Sequence, residues 1–327
     1  MSSSPADAPP SSAGLGWKRW IGPTIAALAF SAAMWILARE LKQHAPSEIL
    51  GAFRSLPASR VGLALVLTAA NYTLLSGYDG LAVWYLGRKL PLRRVMLGAF
   101  IGYALGHNLT WMLGGTTARF RLYLKWGLSA LDVAKMLALL GLTFWSGYCV
   151  LAGIVFLLVP LPISERLHLP LTNTAPLGVV LLVSWSFYLL GCLRQWAFCL
   201  GTIHVRFPPP RLALLHVMLA SCDLMLQSAV LYALLPEGLT FPYWRFVSAF
   251  LLAYGAALAS HVPGGLGVLE VAILALTGSE RPPALFASLL VFRGIFYLLP
   301  LVVASLAFAF YEWRDRHRRP CDPSGAA

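Results

Sequence analysis

Apolar residues fall in long runs separated by short polar stretches. Residues 1–16 are rich in Ser, Pro and Ala and hold no apolar run; Lys18 and Arg19 then introduce one over residues 20–38. Further runs cover 61–86, 93–112, 131–159, 177–200, 211–235 and 284–311, and an apolar region over 243–277 is too long for one crossing and is interrupted at 263–267. A bilayer crossing takes about 20 apolar residues in an α-helix, so the pattern predicts about eight transmembrane helices. Breaks fall where proline cannot continue a helix, at Pro162 and at the three prolines Pro208, Pro209 and Pro210. Residues 39–60 mix charge with Leu, Ile and Phe and read as a connection lying at the membrane interface. A basic flank before an apolar run also opens a signal peptide, but the run over 20–38 lacks a clean small-residue cleavage site and is read as a retained span. The expected fold class is all-α: a polytopic membrane bundle with one or two broken or re-entrant segments. Residues 1–16 form a disordered tail, 17–313 a single transmembrane unit, and 314–327 a basic tail.

Composition narrows the class. Hydrophobic residues make up 58% of the 327 residues and charged residues 12%, about half the roughly 25% of soluble domains. That excludes a soluble enzyme, a disordered chain and a disulfide scaffold. The net charge of +12 does not point to nucleic acid, because the basic residues lie in connections and tails beside apolar runs, where they orient the chain and meet anionic headgroups. Lys18 and Arg19, the connection carrying Arg88, Lys89, Arg93 and Arg94, and the tail carrying Arg314, Arg316, Arg318 and Arg319 are expected in the cytoplasm. Both termini then share one side, and the number of crossings is even. The same count leaves two further basic stretches, 39–60 and 114–127, on the outer side, where the rule does not expect them. The five cysteines form no CxxC, and no HExxH occurs, so neither a metal site nor a cofactor is expected. Cys192 and Cys199 share a helix face at a spacing of about 10 Å, too far for a disulfide.

An ionisable side chain at mid-membrane costs at least about 2.5–3.5 kcal/mol, so each one is a functional candidate. Two constellations stand out. In the first, Gly98, Gly102 and Gly106 make a double GxxxG, a smooth face for close helix packing. His107 and Asn108 follow, then Gly114 and Gly115 with two threonines, then Arg119, Arg121 and Tyr123. Irregular backbone at membrane depth is tolerated against protein or a wet cavity. On a helix Arg119 and Arg121 diverge; in a re-entrant turn both can face one cavity and bind a lipid phosphate through their planar donor forks. In the second, His261 precedes Pro263, Gly264, Gly265 and Gly267, which break the helix and release N–H groups at a restarted half-helix. Such a break points to a transport site near the midplane. Glu270, about one turn into that half-helix, can pair with an arginine, relay a proton or complement the helix terminus. Asp79, Asp223 and Arg293 lie within predicted spans and form a supporting ion network with the two histidines. His107 and His261 both precede interruptions and lie 154 residues apart, close to half the chain, which hints at two related halves.

His107-Asn108, Gly114-Gly115, Arg119-Phe-Arg121-Leu-Tyr123 and Gly127-Leu-Ser129, followed by Pro263-Gly-Gly-Leu-Gly-Val-Leu-Glu270, resemble the lysylphosphatidylglycerol synthase transmembrane-region family. This is the flippase-like membrane module of multiple peptide resistance factors, also found as stand-alone bacterial inner-membrane proteins. The resemblance covers about residues 17–312 and includes Tyr78-Asp79 before the motifs and Arg293 after them. It implies a helical inner-membrane module with re-entrant elements that handles anionic or aminoacylated phospholipid. In fused relatives a soluble transferase domain follows the module; this chain stops at Ala327, shortly past the last run, so the synthase activity is not expected.

The leading expectation is a lipid translocator. Arg119 and Arg121, with Asn108, Gly114, Gly115 and Tyr123, hold the phosphate; Pro263, Gly264, Gly265 and Gly267 form the hinge; Glu270 competes with phosphate for the arginines. No ATP-binding motif occurs, so movement is facilitated or driven by an ion gradient. The alternatives are a non-transporting partner that presents anionic lipid to a separate lipid-modifying enzyme, and an intramembrane enzyme using His107 or His261 as acid and base.

Overall fold

A computed structural model describes residues 51, 56–109, 111–162, 172–200, 203–236, 241–260, 263–277 and 282–318. The tail expected over 1–16, the span expected over 20–38, most of the connection over 39–60, His261 and the end of the basic tail lie outside the described residues. The elements in order are α1 (Ala58–Tyr85), α2 (Leu92–Asn108), a π-helical turn (Trp111–Thr116), α3 (Thr117–Lys125), α4 (Ala130–Leu158), α5 (Ala175–Leu193), β1 (Ala197–Leu200), β2 (Ile203–Arg206), α6 (Pro210–Ala233), α7 (Tyr243–Ala259), a 3₁₀ turn (Pro263–Gly265), α8 (Val268–Thr277), α9 (Pro282–Phe292), a second π-helical turn (Arg293–Leu298) and α10 (Leu299–Arg318). Among the described residues, five stretches are long and apolar enough to cross a bilayer: α1, α4, α5, α6 and the continuous rod Ala284–Asp315 formed by α9, the π turn and α10. The fold is an all-α polytopic membrane bundle.

Local sequence sets the starts. Pro57, Pro91, Pro209 and Pro242 hold extended backbone immediately before α1, α2, α6 and α7, where a missing N–H does no harm. Ser129 accepts from the N–H of Asp132 at 3.1 Å while the Asp132 carboxylate accepts from the N–H of Ser129 at 3.1 Å, a reciprocal cap that begins α4. One expectation needs correction here. The apolar run over 177–200 does not stay helical: α5 ends at Leu193, Gln195 takes a left-handed conformation (φ 49°), and the chain turns into an antiparallel β-hairpin with Phe198 opposite Val205. Aromatic and β-branched side chains suit extended backbone once the helix has ended.

Contacts at the helix ends give the directions of the chain. Arg88, after α1, pairs with Asp132 at the start of α4 at 2.7 Å. Lys125, at the end of α3, pairs with Asp315 near the end of α10 at 2.7 Å. These ends therefore share one side of the bundle. Arg60, at the start of α1, donates to the carbonyl of Leu235 after α6 at 2.8 Å, and Ser248 in α7 donates to the carbonyl of Val159 after α4 at 3.0 Å; these mark the opposite side. The apolar region over 93–112 is therefore not a crossing. The chain enters along α2, reverses at 109–116 and returns along α3 to the side it came from. The region over 243–277 does the same from the opposite side along α7 and α8. The basic stretch over 114–127 ends on the same side as Arg88 and Arg93, which removes the conflict that a crossing there had raised.

The two halves correspond. Helices start at Ala58 and Pro210, at Leu92 and Tyr243, at Thr117 and Val268, and at Ala130 and Pro282, so each second start falls 151 or 152 residues after the first. Each half is a span, a re-entrant hairpin and a span. Because α1 and α6 run in opposite directions, the halves are inverted, with α5 and the β-hairpin between them. Three apolar clusters form the described core, of which one joins α4, α6 and α7 around Tyr148, Phe156, Leu224 and Leu251. Of the other two, one surrounds the first hairpin and includes Ala99, Tyr103, Leu122 and Leu301; the other surrounds the second and includes Phe250, Ala253, Ile273 and Leu289.

Candidate functional site

The first hairpin is built on its glycines. The face of α2 marked by Gly98, Gly102 and Gly106 receives the returning limb. A Cβ on Gly98 would lie 2.9 Å from the ring of Tyr123, one on Gly102 2.6 Å from the guanidinium carbon of Arg119, and one on Gly115 3.2 Å from the Cα of Gly106. The close packing expected of the GxxxG face is thus made within the hairpin, and it delivers Arg119 to the bundle interior.

There Arg119 is fully buried and binds Asp79 of α1 with a two-pronged fork, Nε to Oδ2 and Nη2 to Oδ1, both 3.1 Å. The Tyr123 hydroxyl donates to Asp79 Oδ2 at 2.8 Å, and the guanidinium lies over the Tyr103 ring at 4.2 Å. A pair removed from water is held by two-pronged geometry and by added hydrogen bonds of this kind. Arg121 goes elsewhere. On the regular helix α3 the two arginines diverge, and Arg121 forks onto Glu312 of α10 at 3.2 and 2.9 Å, beside Lys125. The single cavity shared by Arg119 and Arg121 is not formed; Arg121 fastens the hairpin to the last helix.

The second hairpin repeats the device with charges exchanged. Gly264, Gly265 and Gly267 adopt left-handed φ values of 62°, 60° and 79° and turn the chain. Glu270, on the hairpin, accepts from the N–H of Gly267 at 2.9 Å and from Arg293 Nε at 2.6 Å. Arg293 also donates through Nη1 to the Gly264 carbonyl and through Nη2 to the Gly265 carbonyl at 3.1 Å, and lies over the Tyr297 ring at 4.7 Å. Glu270 therefore pairs with Arg293, not with Arg119 or Arg121. In the first half the arginine is on the hairpin and the acid on the span; in the second the acid is on the hairpin and the arginine on the span.

The tips meet inside the bundle. A Cβ on Gly264 would lie 3.4 Å from the carbonyl of His107 and 3.7 Å from that of Asn108. Pro300 explains the adjoining π turn: it offers no N–H to the carbonyl four residues back, at Phe296, and Tyr72 donates its hydroxyl there at 3.2 Å. Asn108 donates to the next carbonyl, Tyr297, at 3.0 Å. His107 sits among Tyr103, Phe296, Tyr72 and Tyr297, with ring centroids 5.8–6.2 Å away.

Asp223 does not join either ion pair. Its carboxylate lies where α6 crosses α1 and accepts from Asn71, Gln227 and Tyr78. The expected ion network is thus two separate pairs and a third carboxylate held by neutral donors. Sequence reading missed Tyr72, Asn71, Tyr103, Gln227 and Glu312. The uncharged ones carry no signal in an apolar run, while Glu312, an acid opening a basic tail, was visible. Among the described residues no cluster of three or more His, Cys, Asp or Glu side chains could hold a metal ion, and Cys149, Cys192 and Cys222 are free.

No family model matches the chain. It is 34% identical over 313 residues to an uncharacterized protein of Synechocystis, covering 92% of this chain and 96% of that protein. It is 30% identical over 265 residues to the inner membrane protein YbhN of Escherichia coli, covering 80% of this chain and 81% of that protein. A stretch of 86 residues, 25% of this chain, is 31% identical to a segment making up 10% of a phosphatidylglycerol lysyltransferase of Staphylococcus xylosus.

Proposed function

The chain belongs to the family of the inner membrane protein YbhN, and from that membership we propose that it is an inner-membrane translocator of anionic or modified phospholipid. The observation that carries the reading is the pair of opposed broken hairpins whose tips meet, each tied to a span by a buried arginine–carboxylate pair. Carboxylate and phosphate each offer a guanidinium a pair of oxygens that its planar fork can bind bidentately. A lipid phosphate arriving from one side displaces Asp79 from Arg119, and Tyr123, freed from Asp79, turns its hydroxyl to the phosphate. From the other side the phosphate displaces Glu270 from Arg293, and the left-handed glycines supply the hinge. Gly114 and Gly115, with Asn108, let the backbone of the first tip approach the headgroup. Moving a charged headgroup through hydrocarbon without such a lining costs many kcal/mol. The partial likeness to a phosphatidylglycerol lysyltransferase, over 25% of this chain, supports a phospholipid as cargo. Arg88, Arg93, Arg94, Lys125 and Arg314 share one side, which the positive-inside rule assigns to the cytoplasm. With residues 20–38 as a sixth crossing, both termini are cytoplasmic.

A second reading is favoured by both arginines being already paired with a carboxylate: a static bundle that binds lipid at its flank and presents it to a separate lipid-modifying enzyme needs no exchange of partners. Flipping assays on purified protein in vesicles separate the two. The translocator moves headgroup-labelled phosphatidylglycerol between leaflets faster than phosphatidylethanolamine. Folded protein that moves neither, and that co-purifies with a lipid-modifying enzyme, favours the static partner.

A further inference from the structure

Six carboxylates lie among the described residues, and five of them meet a basic side chain: Asp79 with Arg119, Asp132 with Arg88, Glu270 with Arg293, and Glu312 and Asp315 with Lys125. Asp223 is the exception. It is 2% exposed and sits near the middle of both α6 and α1. Its Oδ1 accepts from the amides of Asn71 at 2.7 Å and Gln227 at 3.0 Å, and its Oδ2 from the Tyr78 hydroxyl at 3.0 Å. Among the described residues, the other titratable groups near enough to sense its charge are phenols: Tyr72 from α1, Tyr103 from α2, Tyr254 from α7 and Tyr297 from the second π turn. Arg119 lies beyond Tyr103 and is held by Asp79. Among the described residues no cation balances Asp223.

A lone carboxylate in hydrocarbon is costly unless it is paired or neutralised. The donors around this one turn hydrogens toward it, not oxygens, so the shell does not suit a metal cation; neutral donors temper the buried charge without cancelling it, and a proton is what can neutralise it. We propose that Asp223 is a proton-binding site and that its protonation controls the packing of α1 on α6. Uptake forms one O–H bond at Oδ2 and removes one negative charge; the proton comes from the aqueous phase, and the Tyr78 hydroxyl turns from donor to acceptor. Neutral Asp223 matches the closed crossing. When the proton leaves, the unbalanced charge favours a conformation in which α1 parts from α6 and water reaches the carboxylate. The movement has a route to the first ion pair, because the ring of Tyr78 packs edge-on against Tyr103 at 5.8 Å and Tyr103 carries Arg119. The role in transport rests on the translocator reading; proton binding itself does not.

Infrared titration of the purified protein reads the site directly. The wild type is expected to show the carbonyl stretch of a buried protonated acid that disappears reversibly as pH rises. Asp223→Asn lacks that band at every pH, and Asp223→Glu restores it. A titrating band that is identical in wild type and Asp223→Asn, or no such band in the wild type, overturns the proposal. In vesicles with the membrane potential held at zero, a gradient of one pH unit shifts the final leaflet ratio of labelled phosphatidylglycerol by up to about tenfold if one proton moves with each lipid. A ratio that ignores the gradient while lipid still flips overturns the coupling. An Asp223 band in a protein that flips no lipid leaves the proton site standing and removes the translocator reading instead.

Discussion

At Gly102 there is no room for a methyl group, because the guanidinium of Arg119 occupies that space. Gly102→Ala is expected to push Arg119 off its fork on Asp79 and to destabilise the bundle by about 1–3 kcal/mol, as overpacking does; thermal unfolding in detergent measures it. Asp79→Asn leaves a buried guanidinium without its counter-charge, and breaking such a pair costs about 3–5 kcal/mol. Adding Arg119→Gln to Asp79→Asn removes the stranded charge, so the double variant is expected to melt well above the single one. A double variant as unstable as Asp79→Asn alone would mean that the fork is not the dominant interaction there. Asp79, Arg119, Glu270 and Arg293 were all legible as functional candidates, because charge in an apolar run is conspicuous. Their pairing was not. Asp79 and Arg119 lie 40 residues apart and Glu270 and Arg293 23, and sequence spacing does not reveal which carboxylate faces which arginine across helices. Arg121 misled for a related reason: its partner, Glu312, lies 191 residues away.

The elements themselves were easier to read. The apolar runs placed most of the described helix starts within a few residues, and the break at 263–267 carried its own glycines. The reversal of the first hairpin was harder, because the run over 93–112 is long and apolar enough to pass for a crossing. What turns the chain back is packing, the fit of Tyr123, Arg119 and Gly115 onto the glycine face of α2, and periodicity is silent about that. The end of α5 was missed because an apolar run does not distinguish helix from extended strand. Re-entrance makes a prediction at this scale. With the five native cysteines replaced by serine, Arg93→Cys and Lys125→Cys are expected to react with an impermeant thiol reagent from the same side of the membrane, and Trp244→Cys from the other. Labelling of Arg93→Cys and Lys125→Cys from opposite sides would make the first hairpin a crossing.

At the scale of the whole molecule, the inverted halves bring together what neither half holds alone. One hairpin enters from each side, each is tied to a span by an arginine and a carboxylate, and the tips of both meet between Gly264 and His107. The interval between the two histidines hinted at this duplication, and the helix starts, each repeated after 151 or 152 residues, display it. If the side rich in arginine is cytoplasmic, a reporter fused after Arg318 is active in the cytoplasm, and one placed after Leu235 is active on the far side; the reverse pattern would invert the assignment. The central claim is that phosphate exchanges with carboxylate at both ion pairs. Phosphatidylglycerol flipping by folded, vesicle-reconstituted protein tests it most directly, comparing the wild type with two neutralised variants, Asp79→Asn with Arg119→Gln and Glu270→Gln with Arg293→Gln. The account predicts that each variant loses at least tenfold in rate, since each ion pair lies on the path. Wild-type rates in both variants would contradict it.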